Sequence, residues 1–272
     1  MKAWRMIRIR NYQKPSSLEE AWQLNQKKSS RVIGGMLWTK MEQGNINTAI
    51  DLSGLRLDTI RETAEEFQID CMVTLRQLEI HEGLNRYTGG AARQAVKDIV
   101  GVQFRNLATV GGSIYGRYGF SDVLTLFLAM DTYVELYKGG RVALRDYVDL
   151  PKDRDILIRL IVKKEKGRMV YQSVRRSRTD FPVLTCAAFR STEGAWRFSV
   201  GARPQHAVLL EDAEGMLSEP LAEEAAEKFA AYAVEKIPTG SNLRGSAEYR
   251  SHLVNVLVSR AIRQLKGAET WN

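Results

Sequence analysis

Two pairs of adjacent glycines constrain the fold of this chain more than any other feature. Gly34-Gly35 ends a short β-branched run, and Gly111-Gly112 interrupts an apolar stretch. Adjacent glycines permit a positive φ and let another group approach the backbone closely. Exposed backbone N–H groups in such a turn bind anions, typically phosphate. Two strand-to-turn segments of this kind predict one extended diphosphate ligand held from two sides, although an isolated Gly-Gly pair is more often an ordinary turn.

Composition places the chain among ordinary globular proteins. Of its 272 residues, 44% are hydrophobic and 26% are charged, which suits one large domain or two or three compact units. The two cysteines, Cys71 and Cys186, match no zinc or iron–sulfur spacing, so we expect small buried residues of a reduced, cytoplasmic protein. The sequence shows no signal region and no apolar run of the roughly 18 residues that a membrane span needs, so we expect no membrane association.

The net charge of +8 is spread along the chain rather than collected into blocks. A basic surface can serve nucleic acid, an acidic partner or the phosphates of a cofactor. The sequence contains no nucleic-acid reader motif and no basic stripe interleaved with aromatic residues. We therefore expect no nucleic-acid binding.

Hydrophobic patterning predicts a small β-α-β-β unit at the start of the chain. A strand over residues 6–10 precedes a helix that starts at a capping box formed by Ser17 and Glu20. Residues 31–33 then form a strand that leads into the first glycine pair, and residues 49–52 form another short strand.

A second unit follows. Residues 59–65 are ambiguous between strand and helix, and residues 67–73 are strand-like. Thr74 and Ser121 both stand where a helix N-cap is expected. The longer elements predicted in this unit are helices over residues 91–100 and 121–130 and a hairpin over residues 132–144.

The last third of the chain has a different pattern. Strand-like segments separated by polar turns predict an antiparallel sheet from residues 156–162, 169–174, 184–189 and 195–200. Two long helices are predicted over residues 219–236 and 246–265. The second helix carries an apolar stripe of Tyr249, Leu253, Val256, Leu257 and Ile262. A sheet covered by helices is typical of an α+β domain.

The motifs of several enzyme classes are absent. The sequence contains no Gly-x-Gly-x-x-Gly, no Walker A motif and no Gly-x-Ser-x-Gly elbow. Its three histidines are scattered, and His81-Glu82 lacks a second histidine at the zincin spacing because Asn85 stands there. We therefore expect no catalytic residue and no metal site in this chain. That pattern is typical of a protein whose bound cofactor performs the chemistry.

Four segments resemble one known family. Residues 106–114 together with Ser121-Asp122 resemble the flavin-contacting segment of the FAD-binding medium subunits of the molybdenum hydroxylases, the xanthine dehydrogenase and carbon monoxide dehydrogenase family. Residues 32–35 resemble the first flavin loop of that family. Residues 71–79 and 246–250 are similar to two further family signatures. The matches occur in the family's order and span nearly the whole chain.

The resemblance implies an α+β protein with the two-subdomain FAD-binding fold of the PCMH / vanillyl-alcohol-oxidase type, plus a C-terminal antiparallel sheet with helices. The implied domains are residues 1–55 and 56–164, the two FAD-binding subdomains, and residues 165–272, the C-terminal domain. The implied FAD-binding residues are Arg31, Val32, Ile33, Gly34, Gly35, Met36, Leu37, Trp38, Ala108, Thr109, Gly111, Gly112, Ser113, Gly116, Ser121, Asp122, Ile156, Leu157 and Gln172.

The resemblance also implies roles for these residues. Backbone N–H and hydroxyl groups of residues 108–113 would bind the diphosphate and the ribityl chain, and Gly116 would let the loop pass close to the cofactor. Asp122 would accept hydrogen bonds from a cofactor hydroxyl or a backbone N–H; helix capping is its alternative role. Ile156 and Leu157 would contact the flavin ring system.

The function implied by the resemblance is electron transfer within a multisubunit complex. A partner subunit with two [2Fe–2S] clusters would pass electrons to FAD, and a large molybdopterin subunit would oxidise the substrate, a purine or another N-heterocycle. FAD would then reduce NAD⁺ or another acceptor.

The chain departs from the family pattern at several positions. Ser113 replaces the usual Asn, Met36 and Leu37 replace a hydroxyl residue and an acidic residue, and Gln172 stands where a lysine near the flavin is common. These departures motivate an alternative hypothesis, in which the chain is a degenerate scaffold subunit of such a complex that has lost FAD.

Overall fold

The first unit of the fold is a small parallel sheet with one helix. The computed structural model describes residues 6–218, 220–222 and 224–266. Its first elements are β1 (Arg8–Gln13), α1 (Leu18–Asn25), β2 (Ser30–Ile33) and β3 (Asn45–Asp51). The strands lie in the order β1-β3-β2, and both outer strands pair with β3 in parallel. The predicted β-α-β-β order is confirmed.

The cap of α1 differs in one detail from the expectation. The Ser17 side chain accepts a hydrogen bond from the Glu20 N–H at 3.1 Å, as a helix cap does. The Glu20 carboxylate, however, accepts from the N–H of Ser16 at 2.8 Å. The carboxylate therefore reaches one residue further back than in a capping box.

The second unit is built on an antiparallel sheet with the strand order β4-β5-β8-β6-β7. The strands are β4 (Ile60–Glu62), β5 (Glu66–Asp70), β6 (Thr132–Leu136), β7 (Gly140–Ala143) and β8 (Leu157–Lys163). The ambiguous segment 59–65 is thus a strand at the edge of the sheet. The pattern of the segment 156–162 suggested that it joins the C-terminal sheet, but it does not. It is β8, a largely buried strand between β5 and β6, because its apolar residues complete the core of this unit.

Short helices cover this sheet. They are α2 (Leu75–Ile80), α3 (Glu82–Tyr87), α4 (Ala91–Val96), α5 (Val102–Arg105), α6 (Val110–Gly116), α7 (Asp122–Leu128) and α8 (Leu144–Tyr147). Thr74 caps α2 in a capping box with Gln77, and the Ser121 side chain caps α7 by accepting from the Leu124 N–H at 3.1 Å. Both predicted caps are confirmed. The predicted helix over residues 91–100 ends early, at Val96.

The second glycine pair lies inside a helix and not at the end of a strand. Gly111 and Gly112 belong to the first turn of α6, and neither has a positive φ. Gly111 is nevertheless required by a close approach, since a Cβ there would lie 2.6 Å from the Cys71 carbonyl oxygen. The left-handed residue near the first pair is Met36, with φ of 56°.

The C-terminal unit is an antiparallel sheet with two helices on one face. Its strands, in the order β12-β11-β10-β9, are β9 (Gly167–Arg175), β10 (Pro182–Ser191), β11 (Trp196–Gly201) and β12 (Val208–Glu211). The helices are α9 (Ala225–Lys236) and α10 (Ala247–Lys266). The predicted start of the first helix, Glu219, lies outside the described residues. In the predicted stripe of α10, Leu253 is buried, whereas Tyr249 is 46% exposed.

Arg250 holds the C-terminal unit together from within. Its side chain is fully buried, and its guanidinium donates to the carbonyl oxygens of Val183, Ala202, Gly240 and Gly245 and to Asn242 Oδ1. A planar guanidinium with five N–H donors can satisfy several carbonyl groups at once. This contact set ties α10 to β10 and to the loop that precedes the helix, and it gives the segment 246–250 a structural role.

We expect Arg250→Lys to lower the free energy of unfolding by about 3 kcal/mol, because a single ammonium leaves several buried carbonyl groups without a donor. Urea denaturation monitored by circular dichroism measures this change. Arg260→Lys, at an exposed position of α10, is the matched control and should change stability little. Equal stability of both variants would contradict this role of Arg250.

Candidate functional site

A deep cleft of about 500 Å³ lies where the three units meet. Most of its lining comes from four segments: residues 25–42 of the first unit, residues 99–123 and 152–157 of the second unit, and residues 175–182 of the C-terminal unit. Leu52, Cys71, Met72 and Leu75 complete the lining. This volume is within the usual range for a small-molecule or cofactor site.

The cleft collects nearly all of the residues that the sequence singled out. The residues that line it are Arg31, Val32, Ile33, Gly34, Gly35, Met36, Leu37, Trp38, Ala108, Thr109, Gly111, Gly112, Ser113, Gly116, Ser121, Asp122, Ile156 and Leu157. The exception is Gln172. Its side chain lies on the opposite face of β9 and donates to Gln264 Oε1 of α10 at 3.4 Å.

Strand geometry explains the position of Gln172. Successive residues of a strand point to opposite faces of the sheet, so Tyr171 and Arg175 face the second unit while Gln172 faces the helices. The residue of β9 that brings a positive charge to this wall of the cleft is Arg175, three positions further along the strand.

The first glycine loop, residues 34–38, presents a row of free donors. Within the described chain, the backbone N–H groups of Gly34, Gly35, Met36, Leu37 and Trp38 donate to no protein acceptor. Met36 has a φ of 56°, and left-handed residues help consecutive N–H groups to point into one concavity. The loop therefore has the arrangement that binds an anionic group such as a diphosphate.

The second glycine segment has its donors engaged. The Gly111 N–H donates to the Cys71 carbonyl oxygen at 2.8 Å, and the Ser113 N–H donates to the Thr109 carbonyl oxygen at 3.1 Å. The Gly112 N–H donates to Thr109 Oγ1 at 3.1 Å. The N–H groups of Gly111, Gly112 and Ser113 therefore have protein acceptors in this structure, and the expectation that they bind a diphosphate stays a prediction. In this segment, Thr109 retains a backbone N–H without an acceptor among the described residues.

Gly112 contributes open surface instead. It is exposed in the cleft, and the only atom within 4 Å of a Cβ built there is Thr109 Oγ1, at 3.0 Å. Gly111, one residue earlier, is buried against Cys71. The two glycines thus have different roles: Gly111 lets the backbone pack, and Gly112 keeps the floor of the cleft free of side chain.

Asp122 connects the cleft to the C-terminal sheet. Its Oδ1 accepts hydrogen bonds from the Tyr171 hydroxyl and from Arg175 Nη2, both at 2.5 Å. Burial raises the pKa of Asp122, and the positive charge of Arg175 acts in the opposite direction. Burial and the Asp122 charge together raise the pKa of Tyr171 well above its ordinary value. The structure adds two partners that the sequence did not predict, Tyr171 and Arg175, because β9 lies against this carboxylate.

Arg154 joins the first unit to the second at one end of the cleft. Its guanidinium donates to the carbonyl oxygens of Asn25, Lys27 and Ser30, the last two at 2.6 Å and 2.7 Å. The Asn25 side chain returns a hydrogen bond to the Arg154 carbonyl oxygen at 2.8 Å. Sequence reasoning missed this residue because its partners are backbone atoms about 125 positions away, which leave no motif.

The cleft is lined by charged and by aromatic side chains. Its cationic side chains are Lys28, Arg31, Lys152 and Arg154, together with nearby carboxylates. A group of aromatic rings around Trp38 also lines it, and sequence reasoning missed these rings, apart from Trp38 itself. These rings are Phe104, Tyr118, Phe120 and Phe181. A local signal was available for two of them, because Tyr118 and Phe120 immediately precede Ser121-Asp122.

Val100 marks strained backbone at the cleft. It is a β-branched residue with a φ of 49°, and 48% of its surface is exposed. Such a conformation is a genuine outlier that persists only where neighbouring contacts enforce it. Here the Arg105 guanidinium donates to the Ile99 carbonyl oxygen at 3.0 Å and forms a buried ion pair with Glu79 at 2.8 Å. These contacts hold the segment that leads into α5 and end the preceding helix early.

The fold and the cleft together define a protein that holds an extended nucleotide cofactor between two α+β units. Residues 6–164 match the family model described as the FAD binding domain in molybdopterin dehydrogenase, and residues 169–265 match the CO dehydrogenase flavoprotein C-terminal domain. The first match alone covers more than half of the chain. The protein belongs to the family of FAD-binding subunits of the molybdenum hydroxylases, and its cofactor is FAD.

The chain is also similar to individual proteins over nearly its whole length. The uncharacterized protein YgfM of Escherichia coli is 26% identical over 255 residues, which cover 92% of this chain and 94% of the relative. The carbon monoxide dehydrogenase of Hydrogenophaga pseudoflava superposes with a TM-score of 0.85 at 22% identity, over 94% of this chain and 97% of that chain. Quinoline 2-oxidoreductase of Pseudomonas putida 86 gives 0.83 at 19% identity, over 96% and 98%. At these identities the two structures show a shared fold.

The residues of the cleft fit FAD. A row of free N–H donors, a side-chain-free floor at Gly112 and aromatic lining side chains are what a diphosphate linked to planar rings requires. Across the described ranges, no group of three or more His, Cys, Asp and Glu residues could hold a metal ion. No helix in those ranges is long and apolar enough to cross a membrane.

We expect Gly112→Val to weaken FAD binding at least tenfold while the protein stays folded, because its side chain would enter the open floor of the cleft. Gly111→Ala should instead lower the free energy of unfolding by about 1–3 kcal/mol, because its Cβ would overlap Cys71. Flavin content per folded protein and urea denaturation measure the two effects.

Gly101→Ala is the control for both variants. A Cβ at Gly101 would meet only Gln103 Oε1, at 3.3 Å, so this variant should keep both FAD and stability. Full FAD occupancy in Gly112→Val would show that the cofactor does not cross the floor of the cleft at this residue.

Proposed function

We propose that this chain is the electron-transfer subunit of a molybdenum-containing dehydrogenase complex. Its bound FAD accepts electrons from the [2Fe–2S] clusters of one partner subunit and delivers them to NAD⁺ or another acceptor. A molybdopterin-containing partner subunit oxidises the substrate, which we propose to be a purine or another N-heterocycle, as in xanthine dehydrogenase. FAD supplies the reversible electron chemistry, and the residues of this chain bind and orient it.

The single observation that carries this proposal is a cleft with a row of free backbone N–H donors in a chain of the FAD-binding family. His81 Nδ1 accepts a hydrogen bond from the Leu84 N–H, and His206 pairs with Asp149, so both have structural partners outside the cleft. Burial raises the pKa values of Cys71 and Cys186 to about 12, which keeps both thiols protonated and unreactive. We therefore assign the redox chemistry to FAD and not to these four side chains.

We propose that the diphosphate of FAD binds to the free N–H groups of residues 34–38 and to that of Thr109, and passes over Gly112. We place the flavin ring system against Ile156 and Leu157. The functional units of this arrangement are residues 1–55, 56–164 and 165–272.

The apolar side chains of the first loop are compatible with this placement. The side chains of Met36 and Leu37 cannot donate hydrogen bonds, in contrast to the hydroxyl residue that the resemblance led us to expect at this loop. The backbone N–H groups of the same residues are free, however, and a diphosphate can be bound by backbone donors alone.

We expect the purified chain to bind FAD and not FMN, because the row of free N–H donors of residues 34–38 suits a diphosphate, which FMN lacks. Denaturation followed by chromatography of the released flavin measures this. Release of FMN would contradict the proposal. A chain that contains no flavin, and takes up none when incubated with FAD, would favour the scaffold hypothesis.

Electron transfer can be tested in the reconstituted complex. Absorbance of the bound flavin should bleach when the N-heterocycle is added in the presence of both partner subunits, and recover when the acceptor is added. The isolated chain should not bleach with the heterocycle. Oxidation of the heterocycle by the isolated chain would disprove this division of labour.

A further inference from the structure

The end of α1 is attached to the second unit through Arg154. The Arg154 guanidinium donates to the carbonyl oxygens of Asn25, Lys27 and Ser30. These acceptors belong to the last residue of α1, to the connection that follows it and to the first residue of β2. One side chain of the second unit therefore holds both the helix and the strand that leads into the first glycine loop.

The start of α1 is attached to the second unit by a separate set of contacts. Glu19 Oε2 accepts hydrogen bonds from Lys138 Nζ and from the Tyr137 hydroxyl, both at 2.8 Å. The hydrogen bond from Lys138, followed by the one from Tyr137, lowers the pKa of Glu19 to about 2, so this carboxylate is ionised at neutral pH. Glu19, Tyr137 and Lys138 do not line the cleft.

Asp155 connects the two sets of contacts within the second unit. Its carboxylate accepts hydrogen bonds from the backbone N–H groups of Lys138, at 3.0 Å, and Gly139, at 2.7 Å. Because Asp155 directly follows Arg154, the two points at which α1 is held are fixed relative to each other. We refer to Arg154, Glu19, Tyr137 and Lys138 together as the α1 attachment.

The hydrophobic core holds the first and second units together but does not fix the direction of α1. Ala21 and Ile50 of the first unit belong to the same buried cluster as Phe67 and Ile69 of the second unit. The free energy of such a contact depends on the apolar area removed from water and is not directional. Hydrogen bonds weaken steeply when their geometry changes, so the α1 attachment sets the direction and the register.

The position of α1 and β2 matters because the cofactor cleft is built from both units. Ser30, which the Arg154 guanidinium binds, lies four residues before Gly34 in the strand that carries the free N–H donors of residues 34–38. Thr109 and the open floor at Gly112 belong to the second unit. A ligand that contacts both units needs the correct spacing between them.

We propose that the α1 attachment positions the first glycine loop for FAD, and that Arg154 is a positioning residue and not a ligand of the cofactor. This inference rests on the proposed binding of the diphosphate to residues 34–38 and Thr109, whichever way the rest of FAD lies. Arg154 Nε and Nη2 both donate to the first unit, so backbone atoms fix the plane of the guanidinium.

The test compares Arg154→Lys and Glu19→Ala with two matched controls in the full chain. Arg260→Lys makes the same exchange at an exposed position of α10. Glu227→Ala removes a carboxylate that also lies in the first turn of a helix and pairs with a cation, in the C-terminal unit. Equilibrium titration of the flavin-free proteins with FAD gives affinities. Circular dichroism confirms folding, and urea denaturation gives the unfolding midpoint.

Arg154→Lys should bind FAD about tenfold more weakly, because an ammonium keeps the charge but cannot reproduce the planar donors that reach several carbonyl groups. Glu19→Ala should bind FAD roughly threefold more weakly, the loss expected for one exposed ion pair, although Glu19 is outside the cleft. Both controls should match the wild type in affinity.

Wild-type affinity in Arg154→Lys would overturn the inference, because the charge alone would then suffice. Weaker binding in Arg154→Lys with wild-type affinity in Glu19→Ala would also overturn it and would make Arg154 a direct ligand. A lower unfolding midpoint with unchanged FAD affinity in both variants would show a merely structural role and would overturn it too. If Arg154→Lys does not fold, Glu19→Ala decides the question.

The wild-type titration separates this inference from the proposed function. If the wild-type chain binds no FAD, both fail. If the wild type binds FAD and the two variants bind it equally well, only this inference fails.

Discussion

The close approach of the first glycine loop to the segment before α6 governs the shape of the cleft. A Cβ at Gly35 would lie 1.8 Å from the Leu107 carbonyl oxygen, and a Cβ at Gly34 would lie 2.8 Å from Thr109 Oγ1. Nonbonded atoms do not approach so closely, so only glycine lets the two segments meet. Their contact places the free N–H groups of residues 34–38 beside the open floor at Gly112, and the rest of the site follows from that placement.

The backbone N–H groups of the two glycine segments differ in their acceptors. In the second segment, the Gly111 N–H attaches α6 to the Cys71 carbonyl oxygen, before α2, and the N–H groups of Gly112 and Ser113 donate to Thr109 at the start of α6. Those of the first loop have no protein acceptor among the described residues. The buried contact of Asp122 with Tyr171 and Arg175 then fixes the C-terminal sheet against the second unit. One wall of the cleft therefore belongs to the C-terminal unit, and the other walls belong to the first and second units.

Much of the fold was predictable because local signals there agreed with the tertiary structure. Thr74 and Ser121 are strong N-cap residues, and both cap helices. Local signals failed where a partner far away in sequence decided the outcome. The pattern of the segment 156–162 predicts a strand but does not specify which sheet the strand joins. Only its pairing with β5 and β6 assigns it to the second unit. Gln172 lies away from the cleft because a shift of one residue along a strand reverses the face.

The sequence by itself determined the order of the units, the family, the cofactor and the residues from Arg31 to Leu157 that surround the cleft, because these depend on short motifs with fixed spacing. Only the tertiary structure decided how those residues act. Gly111 and Gly112 are neighbours in one helix, yet one meets Cys71 and the other meets open space, because the packing of the units differs on their two sides. Likewise, Trp38 contacts the rings of Phe104 and Phe181, and no local pattern encodes contacts between residues so far apart in the chain.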